Sequence, residues 1–401
     1  MVAIEELAAV VRRLSALALA VFLLLLTCVA QAQPAERVVD LTASDGTKLK
    51  ATYFAAAQPG PGVLLLHQCN RQRKVWDGLA RQLAATGINV LTFDLRGFGE
   101  SGGEPFDKLT PEQAPIEAGK WPGDIDTALQ YLVSQPGVIR NVIGVGGASC
   151  GVNNSVQTAR RHPEVKSLVL LSGNTDLNGR NYLRSPAAPP VFYAIADDDE
   201  FPPSIISIEW LYSLTANPGK TLVHYPTGGH GSDIFKVHPE LMGLIVDWYA
   251  TTLIKTPGRA PAPKQPAQVP QEVRVLEEID LPGGAAKVAQ KLDQARQHDP
   301  KATLFPEAIV NVMGYEHLQS RDSEGAIAIL KLNVAAYPNS PNVYDSLSDA
   351  YLADGQKELA RQNAKRALEL LPSDTADPEA RRNAIRDSAE QKLKQLGDTP
   401  Q

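Results

Sequence analysis

The stretch Val142-Ile-Gly-Val-Gly-Gly-Ala-Ser149-Cys150-Gly151 decides the fold of this chain. Its first half is a continuous run of apolar and small residues, which is typical of a strand buried on both faces. Ser149 then stands between Gly147 and Gly151, and glycines at these positions let a strand and a following helix approach closely at a sharp turn. The turn leaves the N–H after the serine in the first turn of a helix, where backbone donors attract negative charge. The stretch therefore predicts a strand, a tight turn that presents Ser149, and a helix.

The same alternation of strand and helix extends on both sides of this turn. Other short apolar runs predict strands at 62–67, 89–94, 167–171, 191–195 and 221–225. Helical spacing of apolar residues predicts helices at 75–86 and 125–133. Two further strands, at 38–41 and 49–54, form a leading antiparallel hairpin around Asp45-Gly46. Because such alternation produces parallel sheets, we predict an α/β domain at 38–255 with a mostly parallel sheet flanked by helices.

A proline-rich segment follows this domain. Five prolines occur among Ala and Gln within residues 256–272, namely Pro257, Pro261, Pro263, Pro266 and Pro270. This composition builds no core and favours extended polyproline II structure. We predict a linker at 256–272 that leads to a helical domain at 280–396.

The helical domain contains an internal repeat. Three residue pairs recur at a spacing of 34: Pro338 and Pro372, Ala326 and Ala360, Leu318 and Leu352. This spacing is the period of the tetratricopeptide helix–turn–helix repeat, and the stretches 325–333 and 342–351 resemble that family. The resemblance implies a concave groove for a protein or peptide partner, with capping helices at 283–297 and 381–396. An unrelated pair of helical hairpins is the alternative.

The N-terminal segment has the pattern of a targeting signal. Arg12 and Arg13 precede an uncharged apolar run at 14–29, and Ala30-Gln31-Ala32 follows it. This order predicts a secretory signal peptide at 1–32 and export to the periplasm or out of the cell, with no stable membrane insertion after cleavage. An uncleaved anchor is one alternative, because the run is nearly long enough to span a bilayer. Attachment of a lipid at Cys28 is another.

The bulk composition limits the functional class. The chain has 401 residues, of which 43% are hydrophobic and 21% charged, with a net charge of −6. This is the balance of a soluble globular protein, and a mildly acidic chain without a basic cluster argues against nucleic acid as a partner. Apart from Cys28, the only cysteines are Cys69 and Cys150, whose spacing fits no zinc site. We therefore predict no metal and no organic cofactor.

Two later loops carry residues suited to acid–base chemistry. A run of acids, Asp197-Asp198-Asp199-Glu200, follows the strand at 191–195, and His230 stands among glycines after the last predicted strand. Imidazole suits a general base because its pKa lies near neutrality. In the order Ser149, Asp199, His230, these residues form a candidate catalytic triad. Asp198 is the competing acid.

These motifs resemble the α/β-hydrolase family, in particular its small dienelactone-hydrolase-like serine hydrolases. The resemblance covers about residues 38–255 and implies that Ser149 is the nucleophile, His230 the base and Asp199 the acid. It also implies that the segment around Asp94 and Arg96 braces loops beside the site. Only about twenty residues separate the strands at 167–171 and 191–195, where lidded relatives insert a large helical lid. We therefore expect no large lid.

The resemblance also assigns the oxyanion hole. The segment Leu66-His67-Gln68-Cys69 ends a strand, and by its position Cys69 supplies one backbone N–H while Cys150 supplies the other. Gln68 stands where the family usually has glycine. Two N–H groups that converge on one oxygen lie close together, at Cα separations within the ~4.4–6.8 Å of a disulfide. In an oxidising compartment we expect a Cys69–Cys150 disulfide. One alternative is that both cysteines are free buried thiols. Another is that Cys150 is the nucleophile, although it does not stand at the central position of the Gly-x-Ser-x-Gly pattern.

The sequence thus predicts a secreted serine hydrolase that acts on a small carboxylic ester or related acyl substrate. The alternative is a protein-binding scaffold that works through its helical repeats and has a secondary or inactive hydrolase domain. The two predictions differ in what loss of the helical repeats would do to activity.

Overall fold

The computed structural model describes residues 36–110, 113–201, 203–263 and 265–398. The predicted signal peptide at 1–32 lies outside the described residues. In the described ranges, no helix is both long and apolar enough to cross a bilayer.

Eight strands form one sheet in the order β1-β2-β4-β3-β5-β6-β7-β8. They are β1 (Glu36–Thr42), β2 (Lys48–Phe54), β3 (Gly60–Leu66), β4 (Asn89–Phe93), β5 (Val138–Ala148), β6 (Val165–Leu171), β7 (Val191–Ala196) and β8 (Lys220–Tyr225). The first two form the predicted antiparallel hairpin, β2 pairs antiparallel with β4, and β3 to β8 are parallel. The mostly parallel sheet predicted from the sequence is confirmed.

Helices cover both faces of this sheet. They are α1 (Asp77–Ala85), α2 (Gln113–Ala118), α3 (Trp121–Ser134), α4 (Cys150–Arg161), α5 (Leu177–Leu183), α6 (Pro203–Leu214), α7 (Ile234–Val237) and α8 (Glu240–Tyr249). Side chains alternate between the two faces along each strand. On β3, for example, Leu64 and Leu66 belong to one apolar cluster, and Val63 and Leu65 belong to the other. Burial on both faces explains why the central strands are continuous apolar runs.

After the linker, the described residues up to 398 are mainly helical. Its helices are α9 (Gln271–Ile279), α10 (Gly284–His298), α11 (Glu307–Gln319), α12 (Ser323–Ala336), α13 (Pro341–Ala353), α14 (Lys357–Leu370) and α15 (Glu379–Gln395). The starts of α11 and α13, at 307 and 341, are 34 residues apart, as are those of α12 and α14, at 323 and 357. The period found in the sequence is therefore the period of the helical pairs. Membership of the tetratricopeptide family stays a prediction.

The structure has one helix between the predicted linker and the predicted helical domain. The sequence pattern puts the linker at 256–272 and the helical domain at 280–396, whereas α9 already begins at Gln271. A nine-residue helix is marginal by itself, and packing of its apolar face stabilises it. Val273, Leu276 and Ile279 form that face, and they are buried in the same cluster as Trp210 of α6.

The helical region shares its core with the α/β domain. One apolar cluster extends from the sheet through α6 and α9 into α11 and α12, where it includes Ile309 and Ile329. The linker also contacts the α/β domain, because the N–H of Ala267 donates a hydrogen bond to the Tyr212 hydroxyl at 3.0 Å. The helices therefore pack against the α/β domain along a buried interface.

Candidate active site

Ser149 lies in a strained turn between β5 and α4. Its backbone angles are φ +52° and ψ −119°, a conformation that L-residues rarely adopt. A Cβ at Gly147 would lie 2.1 Å from the carbonyl oxygen of Gly151, and a Cβ at Gly151 would lie 2.5 Å from the carbonyl oxygen of Leu66. Both flanking glycines are thus required by close backbone contacts. This agrees with the predicted tight turn that presents the serine.

Hydrogen bonds hold this turn at the carboxyl edge of the sheet. The N–H of Ser149 donates to the carbonyl oxygen of Leu171 at the end of β6, at 2.9 Å, and the carbonyl of Ser149 accepts from Val152 at 2.9 Å. The Ser149 hydroxyl has no hydrogen-bond partner among the described residues. The position of the side chain is therefore set by the backbone of the turn.

His230 and Asp199 form a buried pair. The Nδ1 atom of His230 lies 2.9 Å from both carboxylate oxygens of Asp199, and both residues are at most 4% exposed. This contact places the imidazole proton on Nδ1 and leaves Nε2 as an acceptor. The Phe201 ring packs edge-on against the imidazole, with ring centroids 4.7 Å apart. Asp198, the competing acid, is exposed and instead accepts a hydrogen bond from the N–H of Gly229 at 2.8 Å.

The loop that carries His230 lies against the nucleophile strand. A Cβ at Gly231 would stand 3.2 Å from the Cβ of Ala148, the residue before Ser149. No hydrogen bond joins the Ser149 hydroxyl to the His230 imidazole among the described contacts. Catalytic hydrogen bonds are often long in ligand-free proteins and tighten when substrate binds. The structure thus brings all three candidate residues to one edge of the sheet, with the histidine–acid pair already formed.

Cys69 and Cys150 are joined by a disulfide, with their Cα atoms 5.9 Å apart. Neither backbone N–H donates to a protein acceptor in the described part of the chain. Cys150 is the first residue of α4, where the helix dipole adds positive potential. Two free donors are therefore tied together beside Ser149, as an oxyanion hole requires.

His67 fixes the conformation of the loop that carries Cys69. Its ring is fully buried, and burial lowers the pKa of this imidazole, so it is neutral near pH 7. Nδ1 lies 2.9 Å from the carbonyl oxygen of Gln68, and Nε2 accepts the N–H of Leu95 at 3.0 Å. The proton therefore belongs on Nδ1, and His67 connects the ends of β3 and β4. This role excludes it as a second catalytic base.

Gln68 connects the oxyanion loop to the histidine loop. Its Oε1 atom accepts hydrogen bonds from the N–H and the hydroxyl of Ser232, both at 2.8 Å. Its Nε2 atom donates to Asn70 at 2.9 Å and to the His230 carbonyl at 3.4 Å. A Cβ at Gly231 would lie 2.5 Å from Oε1, so only glycine leaves room for this contact. The sequence marks Gln68 only as a departure from the family pattern, and the structure gives it a positioning role.

Buried ion pairs brace the surrounding loops. Arg73 pairs with Asp94, and the Asp94 carboxylate also accepts the N–H of Arg73 at 2.7 Å and that of Glu100 at 3.0 Å. Arg96 binds both carboxylate oxygens of Asp124, at 2.6 and 2.7 Å. The bracing role expected for Asp94 and Arg96 agrees with these contacts.

Two cavities lie at this edge of the sheet. The larger one, of about 790 Å³, is lined by Cys69, Phe98, Phe106 and the charged residues Arg71 and Lys74. The smaller one, of about 180 Å³, lies between the loop after β6, α6 and α11. Only the short α5 lies between β6 and β7, in agreement with the expected absence of a large lid. Within the described ranges, no group of three or more His, Cys, Asp or Glu side chains is placed to hold a metal ion.

The chain is similar in sequence or structure to several known proteins. The chain is 29% identical over 134 residues to a thiohydrolase, AneE, from Aspergillus aculeatus, an alignment that covers 33% of this chain and only 39% of that protein. It is 28% identical over 231 residues to an uncharacterised protein from Mycobacterium tuberculosis, covering 52% of this chain and 75% of the relative. Among solved structures, a dienelactone hydrolase from Anabaena variabilis covers 55% of this chain and 99% of its own, with 22% identity and a TM-score of 0.44.

A family model gives the assignment of the fold. Residues 61–186 match the model of the alpha/beta hydrolase fold. This range runs from β3 to the loop before β7 and contains Ser149, Cys69 and Cys150, whereas the helical region lies beyond it. The α/β domain of this chain has the alpha/beta hydrolase fold.

Proposed function

We propose that this chain is an exported serine hydrolase that cleaves a carboxylic ester or related acyl substrate through Ser149, His230 and Asp199. The observation that carries the proposal is the buried His230–Asp199 pair, with 2.9 Å contacts, on a loop that lies against the strained Ser149 turn. A serine, an imidazole and an orienting carboxylate at one site form the constellation of nucleophilic acyl transfer.

The proposed reaction has two halves. His230 Nε2 takes the proton of Ser149 as the hydroxyl oxygen bonds to the acyl carbon, and the carbonyl electron pair moves to its oxygen. The tetrahedral intermediate collapses, the leaving alkoxide or thiolate takes the proton from His230, and an acyl-enzyme remains. Water then repeats the sequence and releases the acid. Asp199 keeps the proton on Nδ1 and stabilises the imidazolium formed in each half.

The oxyanion is stabilised by backbone donors. In this proposal the N–H groups of Cys69 and Cys150 bind the negative oxygen of both tetrahedral intermediates. Removal of one such donor costs about 2.7–4 kcal/mol of barrier in other hydrolases, so the position of these two groups is decisive. Their lack of protein acceptors supports this assignment.

Hydrolysis of short p-nitrophenyl esters by matched serine variants tests the proposal. Ser149→Ala is expected to lower kcat by about 10⁴-fold or more, because the nucleophile is lost. Ser172→Ala is the matched control. Like Ser149, Ser172 directly follows a strand at this edge of the sheet and has a positive φ. Its hydroxyl also has no hydrogen-bond partner among the described residues. Equal activity of wild type and Ser149→Ala would refute the proposal.

Export is part of the proposal and has a separate test. The Cys69–Cys150 bond supports it, because disulfides persist in oxidising compartments. Fractionation of cells that produce the full chain should recover a mature form that begins at Gln33 outside the cytoplasm. Recovery of only the uncleaved chain in the cytoplasm would refute export and leave the catalytic proposal standing.

A further inference from the structure

The smaller cavity lies on the boundary between the α/β domain and the helical region. One side is formed by Gly173 and Asn174 after β6 and by Pro203 of α6. The other side is formed by Ala308, Ile309 and Val312 of α11. A helix from outside the hydrolase fold therefore forms one wall of a cavity at the carboxyl edge of the sheet, and this wall is open to solvent at Ala308 and at Val312, which is 50% exposed.

This cavity is next to the candidate nucleophile and its base. A Cβ at Gly173 would stand 2.5 Å from the carbonyl oxygen of Ser149, so this wall touches the nucleophile turn. Pro203 follows the acid loop, in which Phe201 packs on the His230 ring and donates its N–H to Asp199 at 2.8 Å. Residues that line the cavity thus adjoin both the nucleophile turn and the acid loop.

The walls of the cavity are mostly apolar and are held rigidly. Asn153 accepts hydrogen bonds from the Thr175 hydroxyl at 2.7 Å and the Asp176 N–H at 3.2 Å, which fixes the loop after β6. On the other side, Arg180 of α5 pairs with Glu316 of α11 in a buried contact. An apolar cavity that opens to solvent along α11 suits an alkyl chain, which would cover the exposed Val312 and is stabilised in proportion to the apolar area removed from water.

The size and polarity of the cavity limit what it holds. At about 30 Å³ for each water-sized group, 180 Å³ accommodates about six non-hydrogen atoms. Asn174 lines the cavity, and its Oδ1 atom is buried without a hydrogen-bond partner among the described residues. Because this oxygen only accepts hydrogen bonds, it could pair with one donor on the acyl chain, such as a hydroxyl, but not with an alkyl group.

We propose that α11 forms one wall of the acyl pocket, so that Ala308 and Val312 determine the acyl chain length, and that the substrates carry short, mostly apolar acyl groups of up to about six carbons. This inference rests on the proposed function, because it names the substrate class of the same site. It assigns the helical region a direct part in substrate selection.

Filling variants on α11 test the wall with p-nitrophenyl acetate and hexanoate. Ala308 is exposed, so Ala308→Phe adds volume at the cavity without inserting a side chain into the core. This variant is expected to raise the acetate-to-hexanoate ratio of kcat/KM at least tenfold, with acetate hydrolysis retained. Val312→Ala is expected to shift the ratio towards hexanoate. Gln319→Phe, on the same helix but away from the cavity, is the control and should leave the ratio unchanged.

Binding of hexanoate separates this proposal from the proposed function. Saturation-transfer NMR should detect binding of hexanoate to the Ser149→Ala protein. The signal should be lost in the double variant Ser149→Ala, Ala308→Phe and retained in the double variant Ser149→Ala, Gln319→Phe. The pocket is overturned if Ala308→Phe leaves the acetate-to-hexanoate ratio of kcat/KM unchanged. It is also overturned if hexanoate binds equally well with and without Ala308→Phe, or does not bind to any of these proteins. If no ester is hydrolysed and Ser149 does not react with a fluorophosphonate, the proposed function fails, whereas Ala308-dependent hexanoate binding would still support the pocket.

Discussion

At the scale of single residues, the sequence offered the three candidate triad positions because their motifs are local, whereas the two candidate oxyanion donors came from the resemblance to a family. Gly147 and Gly151 mark the turn, and glycines mark the histidine loop. The function of Gln68 could not be predicted in this way. Its main partner, Ser232, is 164 positions away in the chain, and a sequence pattern does not show which distant loop an amide binds.

Replacement of Gln68 tests its positioning role. Gln68→Ala leaves two donors of Ser232 without an acceptor, which costs about 1–3 kcal/mol of stability, and frees both loops to move. Misplacement of the oxyanion donors by about 1 Å would lower kcat by roughly 100-fold. The fall should appear in kcat more than in KM, and Gln68→Glu, which keeps the acceptor, should recover part of it. Gln72→Ala, on the exposed side of the same segment, is the control; an equal fall there would contradict the role of Gln68.

The two neighbouring acids make a matched pair of variants. Asp199→Asn should lower kcat by about 10⁴-fold, because an amide favours the wrong tautomer of His230. Asp198→Asn keeps an oxygen that accepts the Gly229 N–H and should lower kcat less than tenfold. Steady-state kinetics on a single ester distinguishes the two. A larger loss in Asp198→Asn would move the acid to that residue.

At the scale of elements, the disulfide joins the loop after β3 to the start of α4. It closes a sequence separation of 81 residues, for which loop-closure entropy gives about 4.5 kcal/mol of stabilisation. Because the bonded residues are also the two candidate oxyanion donors, the same bond contributes to stability and to the geometry of the hole.

Removal of this bond should therefore affect stability and rate together. The double variant Cys69→Ala, Cys150→Ala keeps both N–H groups, and we expect Tm to fall by roughly 10 °C and kcat by at least tenfold. Reductant should lower the wild-type values towards those of the variant and leave the variant unchanged. Differential scanning calorimetry and ester kinetics, with and without reductant, check this. Unchanged Tm and kcat would show that the disulfide contributes neither to the stability of the fold nor to the geometry of the candidate oxyanion donors.

Most elements could be predicted from the sequence, and α9 shows why one could not. Buried strands and long amphipathic helices have strong periodic patterns, and these were found within a few residues. The helix at Gln271–Ile279 follows five prolines and has only nine residues. Its stability comes from contacts with α6 of the preceding domain, which a local pattern does not contain.

At the scale of the whole molecule, a buried charged cluster joins the α/β domain to the helical region. Asp280 binds Arg180 at 2.7 Å and Arg184 at 2.7 Å, and His317 Nε2 lies 3.5 Å from the same carboxylate. Burial would raise the pKa of Asp280, but these cations outweigh it and hold the pKa well below its usual range. The interface thus depends on groups that must remain charged.

His317 makes the stability of this interface depend on pH. Burial opposes its protonation, but the Asp280 carboxylate 3.5 Å from Nε2 and the hydrogen bond between Nδ1 and Asp322 outweigh burial and raise the pKa of His317 above its ordinary value. A raised pKa in the folded state gives a contribution that is complete below the unfolded pKa, near 6.5, and is lost as pH rises through the folded value.

The stability of His317→Gln should therefore approach that of wild type as pH rises. We expect the difference in the free energy of unfolding between the two proteins to be larger at pH 5.5 than at pH 8.5, as measured by urea denaturation. Gln319→Ala, at an exposed position of the same helix as His317, removes no titrating group and is the control. A difference that grows with pH would contradict the sign of this argument.

The shared core predicts that the α/β domain needs the helices. Truncation after Lys255 would uncover the surface of α6 around Trp210, which is now 1% exposed and is contacted by Arg180. We expect the truncated chain to bind a hydrophobic dye and to have a lower Tm than the full chain. An independent domain with unchanged Tm would instead support a separate scaffold role for the helices. Sequence patterns predicted both regions but could not predict that they share one core.

The central claim is that residue 149 is a nucleophile activated by His230, and mapping of a covalent adduct tests it most directly. After reaction with a fluorophosphonate, peptide mass spectrometry should find one phosphonate on Ser149. His230→Ala should react much more slowly, and Ser149→Ala should not react. Wild-type protein with no adduct, or an adduct on another residue that persists in Ser149→Ala, would contradict the claim.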